Sequence, residues 1–247
     1  MIRSHQKRPM GHLRQRLSLS LIAVVAFIGA CDDEPDVEEA LPEQEPRQVE
    51  QARLAEGFED VHCVGEEDQA DLERALYGEV LGPDRRRADA AVGPLADIEV
   101  SLVLVDKRGR SEEGLVDESA TTDDRGRWCL IAPENIELSP VTVLFADTHE
   151  ETLRAPVLRP GRIDVDAPTE ALLRILVEEG ILLTQIHPAT FEALDDQSRQ
   201  ALERASQVRP RAGGGLTSYL ARIHETLRDD EEFMLAVEAA YLETMAE

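Results

Sequence analysis

The sequence has little lysine, histidine or aromatic content, and each shortage excludes something. Lys7 and Lys107 are its only lysines, and aromatic residues make up 4% of the chain. Against 26 basic residues stand 51 acidic ones, a formal net charge of −25. Nucleic acids and anionic lipid headgroups select clustered Lys and Arg, so neither is expected as a direct partner. The histidines are His5, His12, His62, His149, His187 and His224. None stands in the H-E-x-x-H or H-x-x-E spacing that gathers zinc ligands. A G-x-S-x-G nucleophile elbow, a phosphate-binding P-loop, a G-x-G-x-x-G turn and a D-x-D-x-D-G calcium loop are all missing. Scarce aromatics offer little for a sugar-stacking groove. The reading is a chain without a catalytic set, with no cofactor and no metal.

Long apolar runs are absent too. The longest, residues 17–30 (LSLSLIAVVAFIGA), would reach only about 21 Å as a helix, against a hydrocarbon core of roughly 30 Å. Before it, Arg3, Lys7, Arg8, Arg14 and Arg16 stand without an acidic residue. A basic start, a short apolar stretch and small residues at its end mark a secretory leader, residues 1–30. The closing Ile28-Gly29-Ala30-Cys31 resembles the lipobox of bacterial lipoproteins. That resemblance implies cleavage before Cys31 and attachment of diacylglycerol, and then a further acyl chain, to that cysteine. Several acyl chains anchor stably where one binds only marginally. The expected place is the cell envelope, on a membrane through the lipid, with an envelope protein as a possible partner.

Without the leader, the chain carries −30. Half of that lies on residues 31–73, where 17 acids face only Arg47 and Arg53. Residues 32–56 lack a sustained apolar period and are rich in Glu, Gln and Pro. They read as a disordered, self-repelling tether. Cysteine is scarce as well. With Cys31 lipidated, Cys63 and Cys129 remain, and an oxidising compartment makes a disulfide between them the expected state, with two unpaired buried thiols as the alternative.

From residue 74 the pattern changes to short alternating or β-branched runs between turn residues. Expected strands are Ala75–Leu81, Ile98–Val105, Leu115–Thr122, Arg127–Ile131, Val141–Phe145, Thr152–Leu158 and Ile163–Val165, with Asp123–Gly126 closing a hairpin. About seven short strands over residues 74–166 suggest an antiparallel β-sandwich. Residues 167–247 are helical. Pro168 and Pro188 suit first turns, Gly180 a stop, Gly213–Gly215 a linker, and Asp229 with Glu232 a capping box. The final helix turns Phe233, Val237, Ala240 and Tyr241 to one side.

Gly78-Glu79-Val80, then Gly93-Pro94-Leu95 running into Ile98 and Val100, then Thr122-Asp123 through Gly126-Arg127-Trp128, is similar to carboxypeptidase regulatory-like domains. The likeness covers about 90 residues and implies a transthyretin-like sandwich, usually an accessory module without catalysis. The chain departs from it in the long connection of residues 83–92 and in Glu134, which follows Pro133 where the family has glycine. If Trp128 and Leu130 face the core, Cys129 faces outward, and the segment bearing Cys63 would cross that outer surface.

The acidic clusters Asp123-Asp124, Asp164 with Asp166, and Asp229 to Glu232 are the remaining candidates for a cation or for carboxylate chemistry. Turn formation and helix capping are the commoner uses of such residues. His149 is expected on an exposed turn and His224 on a helix surface. The leading expectation is a non-catalytic binding or scaffolding module. A hydrolase using these acids and a structural subunit of an envelope complex are the alternatives.

Overall fold

The computed structural model describes residues 54–65, 69–84, 91–111, 119–205, 208–211 and 214–246. The leader, Cys31 and the acidic stretch up to residue 53 lie outside the described residues. Among those described, a 3₁₀ turn (Gln69–Arg74) leads into strands β1 (Ala75–Glu79), β2 (Leu81–Pro83), β3 (Val92–Pro94), β4 (Glu99–Leu104) and β5 (Ser119–Thr121). Strands β6 (Arg127–Ile131), β7 (Ser139–Asp147), β8 (Thr152–Val157) and β9 (Gly161–Arg162) follow. The chain then becomes helical, with α1 (Ala167–Glu178), α2 (Pro188–Arg204), α3 (Leu216–Asp229) and α4 (Glu231–Ala246). A β-rich region followed by a helical one is the architecture.

The four-stranded sheet runs β5-β4-β7-β8, antiparallel throughout. Its register places Val100 opposite Ala146 and Leu102 opposite Leu144, and Leu144 in turn opposite Ala155. One face is thereby a continuous apolar surface, as alternation requires. A three-stranded sheet runs β6-β1-β9. There β1 is antiparallel to β6 and parallel to β9. β2 and β3 form a separate short ribbon.

The segment from Asp123 to Gly126 does not close a hairpin. Asp123 accepts hydrogen bonds from the amides of Arg125 (2.8 Å) and Arg127 (2.9 Å), and Gly126 takes the left-handed conformation at φ +72°. This turn chemistry reverses the chain, but it does not choose the strands' partners. Ala120 of β5 pairs with Val100, whereas Trp128 of β6 pairs with Gly78. The chain therefore crosses from one sheet to the other. Burial explains the choice, because all five residues of β6 are buried, and a strand covered on both faces needs neighbours above and below.

Gly78 is where β1 comes closest to its parallel neighbour. A Cβ built there would overlap the carbonyl oxygen of Ile163, and the next amide, that of Glu79, donates to Asp164 at 3.1 Å. Gly78→Ala is expected to destabilise by about 1–3 kcal/mol through this overpacking, measured by denaturant unfolding. Unchanged stability would mean that the segment after β9 can step aside.

Each helix end has an identifiable cause. Asp166 accepts from the Thr169 amide (3.0 Å) as the N-cap of α1, with Pro168 in the first turn. Gly180, at φ +85°, follows its end. His187 caps α2 through Nδ1, accepting from the Ala189 amide at 3.2 Å. The cap of α4 is Asp230, accepting from Phe233 N at 2.9 Å, rather than the expected Asp229. Tyr219, Leu220, Ile223 and Leu227 bury one stripe of α3, which carries that helix through Asp229 and displaces the cap by one residue.

Leu76 and Trp128 of the smaller sheet, Leu102 and Leu144 of the larger, Leu172 and Ile175 of α1, Ile223 of α3 and Phe233 of α4 belong to one hydrophobic cluster. Strands and helices thus share a core. A second small cluster joins Cys63, Ala75, Cys129 and Ile131, flanked by Leu54, Val61, Leu72 and Tyr77. It forms because residues 54–64 lie as a strap against the far side of β6 and β1. Cys63 and Cys129 are joined by a disulfide. Val64 N donates to Cys129 O at 3.2 Å and accepts, through its carbonyl, from Ile131 N at 2.9 Å. Phe58 stacks obliquely on Tyr77, ring centres 5.1 Å apart. The Arg162 guanidinium lies 5.4 Å from the Phe58 ring centre.

Arg127 clamps this strap. Its guanidinium donates to Gly57 O and to Asp60 Oδ1, both at 2.6 Å, and to Asp123 Oδ2 at 2.9 Å. The hydrogen bond from Arg127 holds Asp60 below the ordinary carboxylate range. Burial pushes Asp123 up, but hydrogen bonds from Arg127 and from backbone amides outweigh it and leave it lowered. Carboxyls with depressed folded pKa values stabilise the folded state above the unfolded value, roughly pH 4, and lose that contribution as pH falls through the folded values. The stability gap between the wild type and Arg127→Met should therefore be full at pH 6 and narrow below about pH 4. A gap constant down to pH 2 in thermal melts would show that these carboxylates add nothing.

Candidate functional site

Two open clefts indent the described body. The larger, about 720 Å³, is lined by Pro156 and Leu158 from the sheet side, Thr169 from α1, and Phe191, Asp195 and Arg199 from α2. Arg199 organises its charge. The Nη1 atom donates to Asp166 Oδ2, Nε to Asp195 Oδ2 and Nη2 to Thr169 Oγ1, each at 2.9 Å. Thr169 Oγ1 completes the loop by donating to Asp195 Oδ1 at 3.1 Å. Burial opposes the charge on Arg199, but Asp166 and Asp195 more than offset it and raise its pKa. Both carboxylates are thus held by one permanent cation. The arrangement ties α1 to α2.

The smaller cleft, about 510 Å³, is lined by Pro94, Leu95, Asp97, Asp124, His149 and Glu150 among others. Glu150 Oε2 accepts from Leu216 N at 2.5 Å, where the positive end of α3 favours an anion. His149 lies exposed at a bend, as expected. Among the described residues no group of three or more His, Cys, Asp or Glu side chains is placed to hold a metal ion.

Of the acidic residues singled out in the sequence, Asp164 and Asp166 line the larger cleft with Glu192, Asp195 and Asp196, Asp124 lines the smaller one, and the others lie apart from these. Asp123 builds the turn before β6, and Asp164 accepts from Glu79 N and pairs with Arg162 at 3.2 Å. Asp166 and Asp230 cap helices. His224 Nε2 lies 3.1 Å from Glu178 Oε2, which also accepts from Arg228 at 2.7 Å, so this histidine bridges α3 to the end of α1.

Sequence reasoning missed two features. The first is the Arg154–Glu170–Arg174 network, whose partners lie 16 and 4 residues apart on β8 and α1; no local pattern announces the longer pairing. The second is the outer face of α4. Phe233, Val237 and Ala240 are buried, as the expected stripe requires. Yet Leu235, Leu242 and Met245 are 59, 61 and 67% exposed, and Ala239 is exposed between them. The recurrence of leucine at i and i+7 was legible, but one stripe had already satisfied the helix.

No protein-family model, no curated protein and no solved structure matches this chain. The described residues form a β-rich body, pinned by a disulfide, followed by four helices. Among the described residues no helix is long and apolar enough to cross a membrane.

Proposed function

We propose that the chain is a bacterial lipoprotein of the cell envelope, anchored through lipid on Cys31, whose body is a non-catalytic binding or scaffolding module. In this reading residues 1–30 are a removed leader, residues 31–53 hold the body away from the bilayer, and residues 74–166, with the strap of residues 54–64 pinned to them, are a transthyretin-like sandwich of the accessory kind. About 22 extended residues reach at most roughly 80 Å, enough to clear the headgroups. The anchor rests on Ile28-Gly29-Ala30-Cys31 behind a basic, apolar leader.

The observation that carries the binding role is the outer face of α4. Single exposed apolar residues are ordinary on a protein surface, whereas a contiguous set along one helix marks an interaction surface. Of the acids that could argue for catalysis, Asp123 builds a turn, Asp166 caps α1, and Asp166 and Asp195 share Arg199.

Membrane fractionation tests the anchor. The wild-type chain is expected in the membrane fraction and released by detergent but not by high salt, while Cys31→Ser is expected in the soluble fraction. Cys31→Ser remaining membrane-bound, or a Cys31 peptide without acyl mass, would sink the lipoprotein reading.

A further inference from the structure

The outer face of α4 has a definite chemistry. Leu235, Ala239 and Leu242 follow one another at i, i+4 and i+7, and Met245 lies nearly a turn beyond Leu242, turned toward the side of Glu238. Glu231 and Glu238 border this stripe on one side, Glu232 and Glu243 on the other. α4 (Glu231–Ala246) carries four glutamates and no lysine or arginine. Arg204 of α2 reaches Glu232 at 3.4 Å, and Thr190 donates to Glu243 at 3.2 Å, which leaves a net negative border.

That border selects the occupant. A second copy laid antiparallel on the stripe would set glutamates against glutamates. A bilayer surface is equally poor, because helices that lie on membranes carry Lys and Arg around their apolar face. We infer that the outer face of α4 docks a basic amphipathic helix of a partner protein, with apolar residues at i, i+3 or i+4 and i+7 on Leu235, Leu242 and Met245, and with flanking Lys or Arg against Glu231, Glu232, Glu238 and Glu243. This rests on the binding-module reading and names its surface and its partner's chemistry. Pairing of two helices in this way draws affinity from the apolar anchors and orientation from the charges.

The test uses the full-length chain and two fluorescent 18-residue helical peptides with the same leucine face, one bordered by lysine and one by glutamate. The Leu/Lys peptide is expected to bind with an affinity that falls as salt rises. Leu235→Gln with Leu242→Gln should weaken it at least tenfold while leaving thermal unfolding unchanged, since both side chains are exposed. Replacing Glu231, Glu232 and Glu238 by Gln should weaken it and flatten the salt dependence. The Leu/Glu peptide should not bind. Equal binding of the Leu/Lys peptide to the leucine variant would overturn the inference, because attraction to the acidic chain at large would then explain it. Binding of both peptides alike would overturn the charge selection. A wild-type dimer in sedimentation that the leucine variant dissolves would assign the face to a second copy and overturn it too. The charge and dimer outcomes overturn the partner's chemistry and leave α4 as a binding face, whereas the in-cell cross-link from position 242 tests that face itself.

Discussion

Glu170→Ala is expected to destabilise the protein by about 3 kcal/mol, the lower end for breaking a buried ion pair, because the carboxylate is buried while Arg154 is itself 19% exposed. Glu170 is 1% exposed, in the first turn of α1. Its Oε2 accepts from the Arg154 backbone amide at 3.1 Å and from Arg154 Nε at 2.8 Å. Its Oε1 accepts from Arg154 Nη2 at 2.9 Å and from Arg174 Nε at 2.6 Å. Strand β8 is the edge of the larger sheet, so this carboxylate takes up an edge amide that would otherwise be buried unpaired. Arg154 also donates to Gly109 O at 2.9 Å, which joins the β4–β5 connection to the same point. The alanine variant strands one arginine, weakens a second and orphans the amide. For a domain of this size the melting temperature should fall by roughly 10 °C. Glu170→Gln keeps the shape and one acceptor, and should fall less. A loss under 1 kcal/mol for the alanine variant would show that water reaches both arginines and that the junction is not the tie between sheet edge and helix.

Replacing Cys63 and Cys129 together by serine, or reducing their bond, is expected to cost about 4 kcal/mol. The bond closes a loop of sequence separation 66, and constraining an unfolded chain over such a loop gives that figure in the loop-entropy account. The effect has a local part as well. The strap's other holds include the two hydrogen bonds of Val64, the contacts of Phe58 with Tyr77 and Arg162, the packing of Leu54 and Val61, and the Arg127 clamp. Asp60 in that clamp is largely exposed, and exposed pairs hold weakly. Protease cleavage between residues 54 and 64 should therefore become fast in the reduced protein while the body stays protected. Equal protection before and after reduction would mean that the noncovalent contacts suffice.

How much of this was legible differs by element. Alternation announced β4 and short apolar or β-branched runs announced β7 and β8, while proline announced the starts of α1 and α2 and Gly180 the stop of α1, because these signals lie within a few residues of what they determine. The outward side of Cys129 followed from Trp128 and Leu130 facing the core, and the strap is where that geometry needed it. Partner choice was not legible. The Asp123–Gly126 turn looks the same whether its strands pair or part, and only burial on both faces of β6 decides it. The Arg154–Glu170 and Arg199–Asp166 ties join positions 16 and 33 residues apart, and in a chain with so many acids no spacing singles them out. The cap of α4 missed by one residue because the buried stripe of α3, not the capping pattern, sets where that helix stops.

The account turns on the outer face of α4 meeting another protein in the cell envelope. A photo-activated cross-linking amino acid at position 242, with one at exposed Thr217 on α3 as control, tests this in living cells. The expected result is a discrete adduct of higher mass from position 242, absent from position 217 and lost when Leu235 is changed to Gln. The same faint or uniform pattern from both positions would contradict it.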